Sequence, residues 1–295
     1  MVSQQPVAVA GTEPERRRRL RTVDRLLLAF LALGSGIALV RWDQRPLAKW
    51  ALLAYGLVAL LIFLLTRRPA GIVSRAVREI YPLLLLVPLY SSLDLLNGIG
   101  QITVHDQLIR RWEEWLFGAQ VSRIWWQEHG SRLWSIVFHA SYFSYYVIIP
   151  LPLAWFGVTG DLASLRRSVL IIFSTFLACY VCFLLVPVAG PYYEFPRPAA
   201  WFTANGPAHL VYATLATGSS YGAAFPSSHV AATVAAAISG WMGSRKLGVL
   251  LAVPTLLLTI GVVYCQMHYA VDALAGVGLG VLMSIVFRKG ETRRA

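Results

Sequence analysis

Two histidines and one aspartate in the C-terminal half of the chain have the types and spacing for covalent chemistry. His268 and Asp272 stand four positions apart, so on a helix their side chains share one face. A carboxylate bonded to one imidazole nitrogen fixes the tautomer and leaves the other nitrogen free as a nucleophile or base. His229 follows Pro226, a residue favoured at helix starts. The set predicts attack by His268 and proton transfer by His229.

The surroundings of these residues indicate that the bound group is a phosphate. A helix starting near Ser227 and Ser228 would offer unpaired N–H groups and the positive end of the helix dipole. Arg197 adds a planar guanidinium that can hold two phosphate oxygens. The sequence therefore predicts phosphoryl transfer without a metal or another cofactor.

A metal site is the competing interpretation, because His and Asp are also metal ligands. No third close His or Cys accompanies them, and the H-x-x-x-H spacing of helical zinc sites is absent. The remaining histidines are expected to be structural, and the three cysteines to be buried small apolar residues rather than redox centres. They are His105, His129, His139 and His209, and Cys179, Cys182 and Cys265.

The composition is that of a membrane protein. Of the 295 residues, 57% are hydrophobic and only 14% are charged, against about 25% charged in a soluble domain. Several apolar runs have the length that a helix needs to cross a bilayer. The sequence predicts an all-α polytopic membrane helix bundle with about eight transmembrane helices, at residues 24–41, 47–65, 80–98, 133–158, 168–189, 226–243, 247–265 and 270–287.

The net charge of +12 concerns orientation rather than a nucleic-acid partner. Most Lys and Arg residues cluster at the ends of the predicted spans, in the segments that lie inside if the N-terminus is inside. Both termini are therefore predicted to be cytoplasmic in a multi-pass protein of the cell membrane. The segments 190–198, 225–229 and 268–272 then meet on one side, and the active site faces the periplasm or exterior.

Two outer segments differ from ordinary loops. In residues 105–128, the apolar residues Leu108, Trp112, Trp115 and Leu116 recur on one helical face, and charges fill the opposite face. This pattern predicts an interfacial amphipathic helix, with a partner-docking helix as the alternative. Residues 190–225 are rich in Gly, Pro and Tyr, and a connection of that length is often functional.

At these motifs the chain resembles the type 2 phosphatidic acid phosphatase (lipid phosphate phosphatase) superfamily. The family pattern is Lys-x6-Arg-Pro, then Pro-Ser-Gly-His, then Ser-Arg-x5-His-x3-Asp. The chain has Arg197-Pro198, Pro226-Ser227-Ser228-His229 and His268-x3-Asp272 in the same order. Gly190 stands at the position of the family Lys, and Val262 at that of the last Arg.

Where the chain departs from this pattern, it resembles the branch that contains inositol phosphorylceramide synthase and the sphingomyelin synthases. That branch shares the H-Y-x-x-D form of the last motif and a D-x6-E-x2-L-F-G stretch, here Asp106, Glu113, Leu116, Phe117 and Gly118. The resemblance covers about residues 94–285. It implies a six-helix catalytic core at 80–289 that includes the interfacial helix, two extra N-terminal helices at 24–79, a disordered basic cytoplasmic tail at 1–23 and a short tail at 290–295.

The resemblance implies that His268 is the nucleophile, that Asp272 orients it, and that His229 is first the general acid and later the base. A lipid phosphotransferase acting on a phospholipid or polyprenyl phosphate is expected, with inositol or a lipid alcohol as possible acceptor. With water as acceptor, the same site would be a lipid phosphate or polyprenyl diphosphate phosphatase. A non-catalytic lipid-binding or transport protein is the alternative of another class.

The remaining candidate residues surround this centre. Gln266, Arg197 and the backbone near Ser227 and Ser228 would replace the missing motif cations. Tyr192, Tyr193 and Glu194 are expected to bind an acceptor hydroxyl, with an interfacial aromatic belt and a solvated acid as the alternative. Asp94 and Asn97, at the end of the third span, line a polar pocket or cap a helix end.

Overall fold

The computed structural model describes residues 20–66, 72–98 and 102–290. It is 78% helical with no strand among the described residues, which confirms the all-α class. In chain order the helices are α1 (Thr22–Val40), α2 (Ala48–Thr66), α3 (Ile72–Leu84), α4 (Leu86–Asn97), α5 (Asp106–Phe117), α6 (Val121–Glu128), α7 (Arg132–Phe143), α8 (Tyr145–Ile148), α9 (Pro150–Thr159), α10 (Leu162–Leu185), α11 (Pro191–Glu194), α12 (Ala200–Thr203), α13 (Gly206–Gly218), α14 (Ser228–Gly243), α15 (Arg245–Tyr264) and α16 (Ala270–Val286).

Six stretches in the described part of the chain are long and apolar enough to cross a membrane. The sixth and eighth expected helices are shorter, since α14 has 16 residues and α16 has 17. Eight spans therefore remain a prediction, and six are supported by length and composition. The six stretches are Thr22–Val40, Ala48–Leu65, Ala76–Asn97, Arg132–Thr159, Leu162–Leu185 and Arg245–Tyr264.

Two of these stretches are broken, and a proline follows one break in each. The third predicted span divides at Leu85 into α3 and α4, and Pro88 lies in the first turn of α4. The fourth divides into α7, α8 and α9, and α9 begins at Pro150. Proline has no N–H group and clashes with the carbonyl four residues earlier, so it is tolerated at the start of a helix.

Helix α14 is central and packs against α10, α15 and α16. Its contact with α16 is close because two glycines of α16 face its backbone. A Cβ at Gly276 would lie 2.7 Å from the Ser227 carbonyl oxygen, and one at Gly280 would lie 2.5 Å from that of Ala231. Small residues at four-residue spacing allow membrane helices to approach in this way. The approach brings the start of α14 beside the start of α16.

An ion network joins the N-terminal helix to the rest of the bundle. The fully buried Asp24 on α1 accepts hydrogen bonds from Arg78, at 2.7 Å, and from the hydroxyl of Tyr81 on α3. Glu79 on α3 pairs with Arg166 of α10 at 2.6 Å. Charged groups at such depth are stable only when they are paired. The network therefore fixes α1 and α3 against α10.

The two unusual outer segments contain more helix than the sequence pattern indicated. Residues 105–128 form two helices, α5 and α6, instead of one. The predicted apolar face of α5 is exposed, and Trp115 is 85% accessible; its position at a membrane interface remains a prediction. The charged face is not uniformly solvated, because Asp106 and Glu113 are buried. Residues 190–225 include α11, α12 and α13.

The expected division of the chain is described only in part. The first helix begins at Thr22, inside the segment 1–23 predicted as a tail. Most of that tail, and residues 291–295 of the C-terminal tail, lie outside the described residues. The division into two extra N-terminal helices and a six-helix core remains a prediction.

We expect Asp24→Ala to destabilise the protein by about 3 kcal/mol, because it leaves the half-buried Arg78 guanidinium without its carboxylate. The thermal denaturation midpoint in detergent micelles should fall. The matched control is Asp43→Ala in the exposed connection after α1, which should change stability by less than about 0.5 kcal/mol. Equal midpoints for the two variants would contradict a stabilising role for the network.

Candidate active site

His268 and Asp272 meet where α16 begins. The Nδ1 atom of His268 lies 3.4 Å from Oδ2 of Asp272. The same oxygen accepts a 2.9 Å hydrogen bond from the backbone N–H of Tyr269, the residue that caps α16. His268 lies just before the helix, and its backbone N–H donates to the Val262 carbonyl at 2.9 Å. Asp272 thus orients the imidazole of His268, and the bond to Val262 fixes the backbone that carries it.

The electrostatics of His268 favour a neutral imidazole. Burial lowers the pKa of His268 to about 4, although a hydrogen bond with the Ala224 backbone opposes the change. A histidine with that pKa is unprotonated at neutral pH and has a free lone pair. The side chain therefore meets the first requirement for a nitrogen nucleophile.

His229 faces His268 from the first turn of α14. The centroids of the two imidazole rings are 6.0 Å apart. Nε2 of His229 is 2.9 Å from the hydroxyl of Tyr142, and the ring of Tyr145 lies 4.6 Å away on centroids. The start of α14 is fixed by a 3.0 Å bond from the Ser227 N–H to the Asp272 carbonyl. The two motifs are thus joined directly through their backbones.

The two histidines open onto a cavity of about 410 Å³. That volume is in the range of small-molecule pockets. Ser228 and Ser220 lie on its wall, and one end is apolar where α3, α4, α8 and α9 break, at Leu83, Leu86, Val87, Ile149 and Pro150. No Lys, Arg, Asp or Glu is among the described residues that line it. Its ring-bearing wall consists of Tyr90, Tyr142, Tyr145, Tyr146, Tyr180, Tyr192, Tyr193 and Phe176.

Two residues of the predicted phosphate-binding set belong to this centre and two do not. Ser228 lines the cavity, and Ser227 caps α14 by accepting from the Val230 N–H. Arg197 is exposed, and its guanidinium stacks on the ring of Tyr192 at 3.6 Å. The side chain of Gln266 accepts from the Trp126 indole at 3.0 Å and donates to the Pro196 carbonyl at 2.8 Å. Its amide is engaged in holding two segments together.

The structure explains why Gly190 and Val262 stand where the family pattern has Lys and Arg. Gly190 has φ +90°, and a Cβ there would lie 2.8 Å from the Cβ of Ala224. A side chain at this position is therefore strained and crowded. Val262 is 1% exposed and packs in an apolar cluster with Phe138 and Tyr264. Neither site can present a cation to the cavity without rearrangement.

The predicted substrate-binding residues divide in a similar way. Tyr192 and Tyr193 line the cavity. Glu194 pairs with Arg110 at 3.6 Å, outside the lining. The exposed Asp94 accepts from the hydroxyl of Ser220 at 2.6 Å and so holds a residue of the cavity wall.

Asn97 has no contact with the cavity wall. It donates to the Phe183 carbonyl at 3.1 Å and accepts from Arg41 at 2.9 Å. Its amide therefore connects three helices.

Sequence reasoning missed the tyrosines around His229. Tyr90, Tyr142 and Tyr145 lie on α4, α7 and α8, inside apolar runs that give no sign of convergence. The available signal was the recurrence of tyrosine within the apolar spans, because a helix that faces only lipid does not need phenol hydroxyls.

Among the other histidines and the cysteines, His139 and Cys265 contact each other. Buried His139 contacts Ser135 and, at 3.5 Å, the thiol of Cys265. Cys179 and Cys182 are free thiols on α10. Within the described ranges, no group of three His, Cys, Asp or Glu side chains is arranged to hold a metal ion.

Comparison with known proteins identifies the family. A family model described as PAP2 superfamily matches residues 107–286, which include both histidine motifs. No curated protein and no solved structure matches the chain. The branch of inositol phosphorylceramide and sphingomyelin synthases is not confirmed by this match. Because the matched segment is more than half of the 295 residues, the chain belongs to the PAP2 superfamily, whose members are lipid phosphatases and phosphotransferases.

Proposed function

We propose that the protein is a metal-independent lipid phosphotransferase that moves a phosphoryl-containing headgroup through a phosphohistidine intermediate. One observation carries the choice of transferase over phosphatase. The two histidines face a cavity that no Lys or Arg among the described lining residues enters. A buried phosphomonoester dianion would lack counter-charges there, whereas a phosphodiester carries a single negative charge.

In the first half-reaction, Nε2 of His268 attacks the phosphorus of the donor lipid. The N–P bond forms as the bond between phosphorus and the lipid oxygen breaks, and His229 gives its proton to that oxygen. Asp272 holds Nδ1–H of His268 and stabilises the positive charge that the ring acquires. The 3.4 Å contact between these two groups supports this role.

In the second half-reaction an alcohol replaces the lipid. Its oxygen attacks phosphorus, its proton passes to His229, and the N–P bond breaks. Nδ1 of His229 is buried without a hydrogen-bond partner among the described residues, while Nε2 contacts the Tyr142 hydroxyl. With the proton on Nε2, donated to the Tyr142 oxygen, the lone pair of Nδ1 would be free to take the proton of the alcohol. Inositol or a lipid alcohol fits the tyrosine-lined wall, since phenol hydroxyls both donate and accept.

The donor enters with its chains in the apolar end of the cavity, between the breaks at Leu85 and Ile149. Leu86, Val87 and Pro150 supply that surface. The charge pattern of the connections favours cytoplasmic termini, and therefore a site at the outer membrane face. A phospholipid or a polyprenyl phosphate diester would satisfy both the apolar end and the single charge.

We expect His268→Ala to lower turnover by at least about 10³-fold, because the covalent bond to phosphorus depends on this imidazole. Purified protein would be assayed with a panel of labelled lipids, with and without an alcohol acceptor. His209→Ala, at an exposed position on α13, is the control and should retain wild-type turnover. Residual activity above about a tenth in His268→Ala would refute covalent catalysis by this residue.

The charge argument predicts a preference for phosphodiester donors. With matched acyl chains, a phosphodiester lipid such as phosphatidylinositol should exceed phosphatidic acid by about tenfold or more in kcat/KM. Free phosphate and transferred product would be quantified together. Dominant release of inorganic phosphate from the monoester would favour the phosphatase alternative.

Metal independence predicts that EDTA leaves turnover unchanged and that vanadate, a phosphate mimic, inhibits. Both effects would be measured in the same detergent assay, with a known magnesium-dependent enzyme as the positive control for chelation. Activity lost with EDTA and restored by a divalent cation would contradict the proposed mechanism.

A further inference from the structure

Helix α5 carries two buried carboxylates that the proposed reaction does not use. Asp106 is 2% exposed and Glu113 is fully buried. They are seven residues apart, or about two turns, and so lie on the same helical face. The opposite face exposes Trp112 and Trp115. Buried carboxylates are costly unless their oxygens are bonded, so their partners indicate what they do.

Asp106 connects the backbone at 189–190 with the side chain of the residue that follows His268. Its Oδ2 accepts from the Ala189 N–H and its Oδ1 from the Gly190 N–H, both at 2.8 Å. Oδ1 also accepts from the hydroxyl of Tyr269 at 3.1 Å. Ala189 lines the cavity, and Tyr269 is the residue after His268. One carboxylate thus sets the distance between a cavity wall and the His268 segment.

Glu113 acts on the start of α16. Its Oε2 accepts from the Ala270 N–H at 3.0 Å, and its Oε1 from the Ser122 N–H at 3.3 Å. Asp272 accepts from the preceding N–H, that of Tyr269. Two carboxylates from different helices therefore satisfy successive amides at the same helix start, where unpaired N–H groups would otherwise be buried.

Glu113 is also electrostatically coupled to this segment. Burial raises the pKa of Glu113 to about 7, and the nearby Asp272 carboxylate adds to the rise, whereas the backbone N–H donors oppose it. Burying a carboxylate costs free energy, so packing alone does not explain Glu113. It is well suited to hold the segment that carries His268.

We propose that Asp106 and Glu113 are positioning residues, which hold the 189–190 segment and the start of α16 so that His268 is aligned with phosphorus. The inference rests on the proposed function for the role of His268. Neither carboxylate touches the substrate. Asp106 acts through the 189–190 backbone and the Tyr269 hydroxyl, and Glu113 acts through the Ala270 N–H. Together these contacts explain the Asp106-x6-Glu113 spacing on α5.

The test measures the rate of enzyme labelling in a single turnover. Wild type and the variants Asp106→Asn and Glu113→Gln are each mixed with an excess of a phosphodiester lipid labelled at phosphorus, with no alcohol acceptor, and the reaction is quenched at short times. The labelling rate constant reports alignment, and the final labelled fraction reports how much protein is folded. Glu114→Gln, an exposed neighbour on α5, is the matched control.

We expect the rate constant to fall by about 10–100-fold in both variants, because misplacement by about 1 Å can cost that much. The labelled fraction and the Glu114→Gln rate should stay at wild-type values. A milder variant, Tyr269→Phe, removes only one donor to Asp106 and should slow labelling by a few-fold. It also covers the case in which the charge variants do not fold.

A wild-type rate constant in Asp106→Asn and Glu113→Gln with a smaller labelled fraction would overturn the inference, since the residues would then serve folding alone. A wild-type rate in Tyr269→Phe would also count against it. Failure of the proposed function is distinguishable, because wild type itself would then turn over without label. That result would overturn both proposals.

Discussion

The close contact between α14 and α16 is the constraint on which the candidate site depends. Gly276 and Gly280 let the α14 backbone approach to distances that a Cβ would forbid. The Ser227 N–H can then reach the Asp272 carbonyl, and the motif on α14 joins the motif that begins α16. Without that approach, His229 and His268 would not face each other, and the 6.0 Å ring separation would not arise.

Electrostatics around this contact differ from those of a cation-lined phosphate site. The described cavity wall consists of aromatic and apolar groups, a few serine and threonine hydroxyls and two imidazoles, while carboxylates bond the backbone behind it. Gly190 and Val262 occupy positions where a long cation does not fit. Such a site disfavours a dianion and favours a group with one negative charge. The same carboxylates can stabilise an imidazole that becomes positive during attack.

The helices around the two histidines supply the apolar surface of the cavity. Proline breaks at Leu85 and before Pro150 give the cavity its apolar end. The Asp24 network holds α1 and α3 against α10. Helices α1 and α3 lie outside the segment that the family model matches. Stability and chemistry are thus supported by different polar clusters, one at each end of the bundle.

The sequence by itself determined the all-α class, the superfamily and the identity of the His268, Asp272 and His229 motifs, because apolar run length and short motif spacing are local properties. It could not separate Ser228, which lines the cavity, from Gln266, whose amide is used elsewhere. Tertiary structure decided those roles, and it decided that α5 carries buried carboxylates. Each of these side chains is fixed by partners that are far away in the chain, such as Trp126 for Gln266 and Ala270 for Glu113. The spacing of residues along one helix does not show which distant partners will meet.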